Sequence, residues 1–285
     1  MKFLSKYVNR KILDLSFTMH VRPHLEYGDT IYHNCADYLM DKLESIQYQA
    51  GLIVTGCWKN TNRNKLYSEL GWESLSDRRK NRRLTNYHKI FHGISPNYLK
   101  KYVLLSPLPV NASQRLKRSF FPYCYDAYNS IDPTIKALNA THFKKSLTKL
   151  TKPKKKLIPN SSNRMGIKYL TCLRVGHSDL REHRFSKSFN CPSPICKCGY
   201  ENESTEHFLL RCPKFNSPRG ILIQNVLKLL EMNNIKTPSD DEKLCDIMLY
   251  GYKSLLDHKN KKLLNYTIKF IMCTKRFETL EAFNG

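Results

Sequence analysis

Four side chains in one short stretch have the types and spacing of a metal-binding set. They are Cys196, Cys198, His207 and Cys212, in CKCGYENESTEHFLLRC. Read as C-x-C, eight residues, H, four residues, C, three thiolates and an imidazole can meet around one tetrahedral zinc. All four ligands come from protein, so the shell is closed, as in a structural zinc site rather than a catalytic one with a place for water. Cys191 is an alternative ligand, able to replace Cys196 if the turn at Pro192–Pro194 folds back. Two local elements must position the set. Gly199 gives the chain room for the tight turn that C-x-C ligation requires. Glu206–Arg211 reads as a short helix that carries His207 toward the metal, with Cys212 following just over one turn later.

The cluster sits in a strongly basic chain. Lys and Arg number 48 against 24 Asp and Glu, for a net charge of +24 over 285 residues. Such an excess favours polyanions, because each phosphate neutralised releases condensed counterions. The content of hydrophobic residues, 41%, is that of a folded protein with one or two domains. Ten unevenly spaced cysteines do not form a secreted disulfide framework, and Cys35, Cys57, Cys172, Cys245 and Cys273 each stand alone in apolar runs. The first residues lack the apolar core and cleavage site of a signal peptide, and no apolar run is long enough for a membrane. The expectation is an intracellular protein, nuclear or cytoplasmic and not secreted.

Helical patterns dominate. Lys2–His20 is rich in apolar positions, and Pro23 should kink or stop a helix there. Leu39, Leu43, Ile46, Ala50 and Ile53 recur at alternating spacings of four and three, one buried stripe that Gly56 should end. Ser74-x-x-Asp77 caps a helix carrying Arg78, Arg79, Lys80, Arg82 and Arg83 and ending at Gly93, with Leu84, Tyr87, Ile90 and Phe91 on its apolar side. A further short helix follows Ser95-Pro96. Between 103 and 140, Pro107, Pro109, Pro122 and Pro133 break the pattern, and SFFPYCYDAYNSI is the one strand-like or extended piece. After a helix at Phe143–Leu150, Lys144–Lys168 holds nine basic residues and no acid, including KPKKK with Lys154, Lys155 and Lys156. That composition reads as a linker. Helices are expected at Ile167–Val175 and Ser178–Ser188, then from caps at Ser217-Pro218 and Asp240, and last at Leu263–Phe277.

Several stretches, in order across roughly residues 15–220, resemble the C-terminal part of non-LTR (LINE-class, jockey-type) retrotransposon reverse transcriptases. They are FTMHVRPHLEYGDTIYH with KLESIQYQAGLIVTG; ELGWESLSDRRKNRRLTNYHKIFHGISPNYL; SFFPYCYDAYNSI with FKKSL; and LTCLRVGHSDLREHRFSKSFN with CKCG, TEHFLLRCPKF and a following Arg. The tail IKFIMCTKRF is similar to the end of such proteins. The resemblance implies an RNA-directed DNA polymerase, but the family places its metal-binding carboxylates in a Tyr-x-Asp-Asp motif that this chain lacks. The one adjacent pair, Asp240-Asp241, reads as a helix cap. No catalytic residue is assigned, and the polymerase palm is expected to be absent, encoded upstream or supplied in trans.

The expected architecture is therefore mainly α. Residues 1–105 form a helical thumb-like lobe and 106–165 an irregular segment and basic linker. Residues 166–285 form a helical lobe with a CCHC zinc knuckle at about 191–215. The expected partners are RNA or DNA. Phosphate contacts are assigned to Arg78, Arg79, Lys80, Arg82 and Arg83, to Lys154–Lys156, and to Arg181 and Arg184 with His183 beside them. In GHSDLREHRF, Ser178 is read as an N-cap. The competing expectation is a zinc-stapled helical protein-interaction module with no nucleic-acid role.

Overall fold

The computed structural model describes residues 1–277 apart from 33–34, 105–107, 109–110, 160 and 162. His33, Pro107, Pro109 and two positions of the basic linker therefore lie outside the described residues. The chain is mainly helical, with no strand among the described residues and one isolated antiparallel bridge between Ile195 and Asn202. The helices are α1 (Arg10–Ser16), α2 (Arg22–Glu26), α3 (Asp29–Tyr32), α4 (Asp37–Thr55), α5 (Arg63–Leu70) and α6 (Leu75–Phe91). Next come α7 (Lys100–Leu104), α8 (Gln114–Lys117), α9 (Phe120–Asn129), α10 (Pro133–Lys136) and α11 (Ala140–Thr151). The last five are α12 (Arg164–Val175), α13 (Arg181–Phe185), α14 (Asn216–Glu231), α15 (Asp241–Tyr250) and α16 (Asp257–Cys273). No described helix is long and apolar enough to cross a membrane.

Two compact units divide the chain. One comprises Met1–Val54 and Gly71–Lys154, the other Thr55–Leu70 and Lys155–Gly285.

The first unit is organised by α6. Ser74 and Asp77 cap it reciprocally: the Asp77 N–H donates to Ser74 Oγ at 3.0 Å, and the Ser74 hydroxyl donates back to the carboxylate at 2.7 Å. Gly93, at φ +70°, closes its far end, where the Ile94 N–H reaches back to the Lys89 carbonyl. Leu84, Tyr87 and Ile90 pack with Val103, Cys124, Tyr128, Phe143 and Leu147 to make the core. Cys124 and Tyr128 lie on α9, so SFFPYCYDAYNSI is a helix and not an extended piece. Pro122 falls in the first turn of that helix, where its missing N–H has no intrahelical partner to lose. Burying the aromatic face against α6 then outweighs the β preference of the individual residues.

Two further expectations are sharpened in this unit. Of the two outcomes expected at Pro23, kink or stop, the helix is not stopped: a π turn at Phe17–Val21 widens the backbone just before it and α2 continues through Glu26. The buried face of α4 is only partly the aliphatic stripe: of its members Ala50 is buried, Leu43 and Ile53 are half-buried and Leu39 and Ile46 are exposed, while Glu44, Gln47 and Val54 beside it are buried. The reason is polar. Glu44 accepts the Leu75 N–H at 2.9 Å, and Gln47 donates to the Glu73 carbonyl at 2.9 Å. Unsatisfied backbone groups at the start of α6 cost more than leaving two aliphatic side chains wet.

In the second unit, α12, α14, α15 and α16 enclose Leu170, Leu222, Val226, Met248, Leu263 and Ile268. The α5 segment packs on α12, with a buried Arg174–Glu69 ion pair at 3.0 Å and Cys57 Sγ 3.9 Å from Cys172 Sγ. These two cysteines are therefore neighbours rather than solitary. Asp240 caps α15 by accepting the Glu242 N–H. The N-cap of α14 is Phe215, so Ser217 and Pro218 lie inside its first turn rather than ahead of it.

Candidate metal centre

The turn that holds the first two cysteines is built from backbone bonds. Cys196 N–H donates to the Glu201 carbonyl at 2.8 Å, Gly199 N–H to the Cys196 carbonyl at 2.9 Å, and Glu203 N–H to the Pro194 carbonyl at 2.9 Å. Gly199 has φ +89°, a region that side-chain-bearing residues rarely adopt, with open space where a Cβ would stand. Its requirement is conformational and not steric.

His207 and Cys212 come from a π turn, His207–Arg211, in place of the α-helical turn the sequence suggests. The Cys212 N–H closes it on the His207 carbonyl at 2.7 Å. Five residues thus span just over one wide turn, which returns Cys212 beside Cys196. The two sulfurs lie 3.8 Å apart, and Cys198 Sγ lies 3.3 Å from His207 Nε2. All four donor atoms fall within 4.8 Å of one another, an arrangement that could hold a metal ion. Cys191 is not among them; its thiol lies 3.2 Å from the Ser193 carbonyl.

A supporting shell fixes the donors. Glu201 Oε1 holds His207 Nδ1 at 2.7 Å, which leaves Nε2 directed at the sulfurs. That bond holds the Glu201 carboxyl below its usual range. Buried Glu203 accepts the Arg181 N–H at 2.8 Å and two bonds from Arg276 at 2.6 Å. Arg219 donates to the Leu209 carbonyl at 3.0 Å and to the Cys212 carbonyl, anchoring the π turn on α14. At the end of the turn, Arg211 binds Glu206 and, at 3.0 Å, Asp241. The Asp240-Asp241 pair is thereby occupied in a cap and an ion pair.

The thiols are electrostatically unequal. Burial pushes Cys196 up to about 12 and raises Cys212. Burial also works against ionisation of Cys198, but the Tyr200 N–H, the Cys196 thiol and His207 outweigh it and bring the thiol to about 7. One readily formed thiolate beside a histidine is a natural first foothold for a cation.

The basic residues fall out differently. Arg78 and Arg82 both bind Glu26, Arg82 also binds Asp29 at 2.9 Å, and Arg78 lies 3.4 Å from Glu73. Arg79 and Arg83 are buried, the latter with its guanidinium 4.0 Å from the centre of the Tyr123 ring. Of this run only Lys80 is exposed. Comparison with family models, with curated proteins and with solved structures returns no match. Lys154 and Lys155 are exposed, while Lys156 places its ammonium over the Tyr250 ring at 4.8 Å.

Arg181, expected on a phosphate-facing surface, donates through Nε to the Ser193 carbonyl at 3.2 Å, and Arg184 is half-buried. His183 faces inward as well. It bonds Ser178 Oγ at 2.8 Å, and burial lowers it to about 4. Ser178 therefore holds that ring instead of capping α13, whose N-cap is Leu180. Glu201, Glu203, Arg219 and Arg276 escaped the sequence reading. Only Glu201, a carboxylate close to a candidate ligand histidine, carried a local signal; Glu203 and Arg276 are joined across 73 positions.

Proposed function

We propose that the four-residue cluster binds one structural zinc ion and that the chain is a nucleic-acid-binding protein. We further propose that it corresponds to the C-terminal part of a non-LTR retrotransposon reverse transcriptase without its polymerase palm. The observation that carries the reading is the donor set itself, Cys3His gathered from two adjacent turns of a chain with 24 excess positive charges. Zinc–sulfur bonds of about 2.3 Å and zinc–nitrogen bonds of about 2.0 Å give tetrahedral edges of roughly 3.8 Å between sulfurs and 3.5 Å between sulfur and nitrogen. The spacings of 3.8 Å and 3.3 Å match those edges to within a few tenths of an ångström. Zinc here supplies a cross-link, and the second-unit core next to the π turn depends on it through Phe208 and Leu209.

Support for nucleic acid comes from charge and from the ordered resemblance of four sequence stretches. Binding should fall linearly in log affinity against log salt, by roughly 0.9 per phosphate contact on duplex DNA. Titration of labelled RNA and DNA between low and moderate salt measures it. Affinity that is flat across salt would overturn the reading. The inward-turned Arg78, Arg79, Arg82 and Arg83 favour a second reading, a zinc-stapled helical scaffold for protein contacts. Flat salt dependence would support that alternative.

A further inference from the structure

Two cavities of about 420 and 400 Å³ flank α6 in the first unit and share Arg78, Arg82 and Asn86 as a common wall. Arg78, Arg82 and Asn86 recur every four residues, so both cavities border one stripe of α6, the floor of a trough with a cavity on either side. Its carboxylates are already engaged. Glu26 and Asp29 are held by the two shared arginines, and Glu73 by Arg78, Asn81 and Thr151. Arg22 at one end, and Lys89 and Lys144 at the other, are bonded to no carboxylate among the described residues. Five cations thus line the trough against three carboxylates. Hydroxyls and amides complete the walls: Thr18 and Asn86 near Arg22, Thr141 and Thr148 near Lys144.

We infer that this trough is a seat for consecutive phosphates, with Arg22, Lys89 and Lys144 as the contacting cations and the Arg78–Arg82–Glu26 network as its rigid floor. Half-buried Arg22 faces Arg78 as well as carboxylates, and its guanidinium is held below its ordinary value by burial first and by that like charge second. An entering oxyanion relieves this repulsion, and a guanidinium offers it a bidentate fork. From Arg78 to Lys89, α6 rises about 16 Å, room for more than one linked phosphate. The inference rests on the nucleic-acid reading for its natural ligand, but the chemistry it requires is only that of linked phosphates.

The test compares the full chain with Arg22→Gln/Lys89→Gln/Lys144→Gln, using an RNA oligonucleotide, a DNA duplex of equal length and inorganic polyphosphate. A charge-matched control carries Lys236→Gln/Lys253→Gln/Lys262→Gln, three exposed lysines of the second unit. The trough variant should lose a salt slope of roughly two to three on duplex DNA while the control loses less than one. Lys89→Gln/Lys144→Gln alone, which leaves the π-turn region untouched, should lose about two. Loss of polyphosphate binding in the variant, with no wild-type binding to RNA or DNA, would support the trough and overturn the nucleic-acid reading. Wild-type nucleic-acid binding that both trough variants retain with unchanged slope would overturn the trough alone. No binding of any of the three polyanions by the wild type would overturn both.

Discussion

The Cys/His cluster around Cys196 and the basic run on α6 carried comparable functional weight in the sequence, and they fold into opposite things. At the cluster the residues converge as their spacing demands, with three sulfurs and one imidazole nitrogen within 4.8 Å. On α6, Arg78 and Arg82 pair with Glu26, Asp29 and Glu73, and Arg79 and Arg83 are buried. The difference lies in where the partners are encoded. A Cys/His set names its own partners, since all four candidate donors share one short segment and one geometric requirement. A charge run on a helix names none. Whether it grips a phosphate or staples a core depends chiefly on acids roughly fifty residues away, Glu26 and Asp29, with Glu73 the one near partner.

Predictions from this contrast run from the largest expected effect to the smallest. Chelation, or Cys198→Ser, should loosen the second unit by several kcal/mol, because structural zinc typically contributes on the order of 10 kcal/mol of apparent binding free energy. Hydrogen exchange should show protection lost first around residues 196–230; unchanged protection there would break the knuckle side of the comparison. Glu26→Ala should cost the first unit roughly 2 kcal/mol or more in thermal or urea melts. That is less than the ~3–5 kcal/mol of a fully buried pair, because Arg78 and Arg82 remain partly in water. Arg78→Gln/Arg82→Gln should likewise read as a stability defect before any binding defect. A variant that keeps its melting temperature but loses RNA affinity would restore these arginines as contacts.

Acid should act on both units, by different groups. Burial raises the Glu26 carboxyl, but Arg78 and then Arg82 outweigh it, so its folded pKa lies below the ordinary value. The stability it contributes is complete above about pH 4.5 and is lost as pH falls through its lower folded value. His183 is also depressed, to about 4, by burial. Between roughly pH 6.5 and 4 the unfolded chain binds a proton that the folded one refuses, so stability falls across that window as pH drops. An NMR titration should place the His183 ring near 4, and His183→Gln should flatten the melting temperature across the same range. A His183 ring that titrates near 6.5 would contradict its inward position. The smallest effect is at the cap: Ser74→Ala should cost about 1 kcal/mol by removing the bond to the Asp77 N–H.

The helical class, the caps at Ser74 and Asp240, the end at Gly93 and the four donors were legible because each rests on a few residues close in sequence. The structure departs from the local pattern where distant backbone sets the terms. The buried face of α4 is shifted because Glu44 and Gln47 serve backbone groups of Leu75 and Glu73. The helix at 120–129 was hidden by aromatic residues whose preference was decided by the α6 surface. Both π turns, at Phe17–Val21 and His207–Arg211, lack a sequence signature, and the Glu203–Arg276 bond and the Cys57–Cys172 approach join segments far apart in the chain.

Metal content of the full chain, purified under reducing conditions and read by native mass spectrometry with X-ray absorption at the zinc edge, tests the closed knuckle most directly. The expected result is one zinc per chain in a shell of three sulfurs and one nitrogen, lost in Cys198→Ser and in His207→Ala but kept in Cys191→Ser. A chain that is folded and metal-free under those conditions, or a zinc shell that contains water, would contradict it.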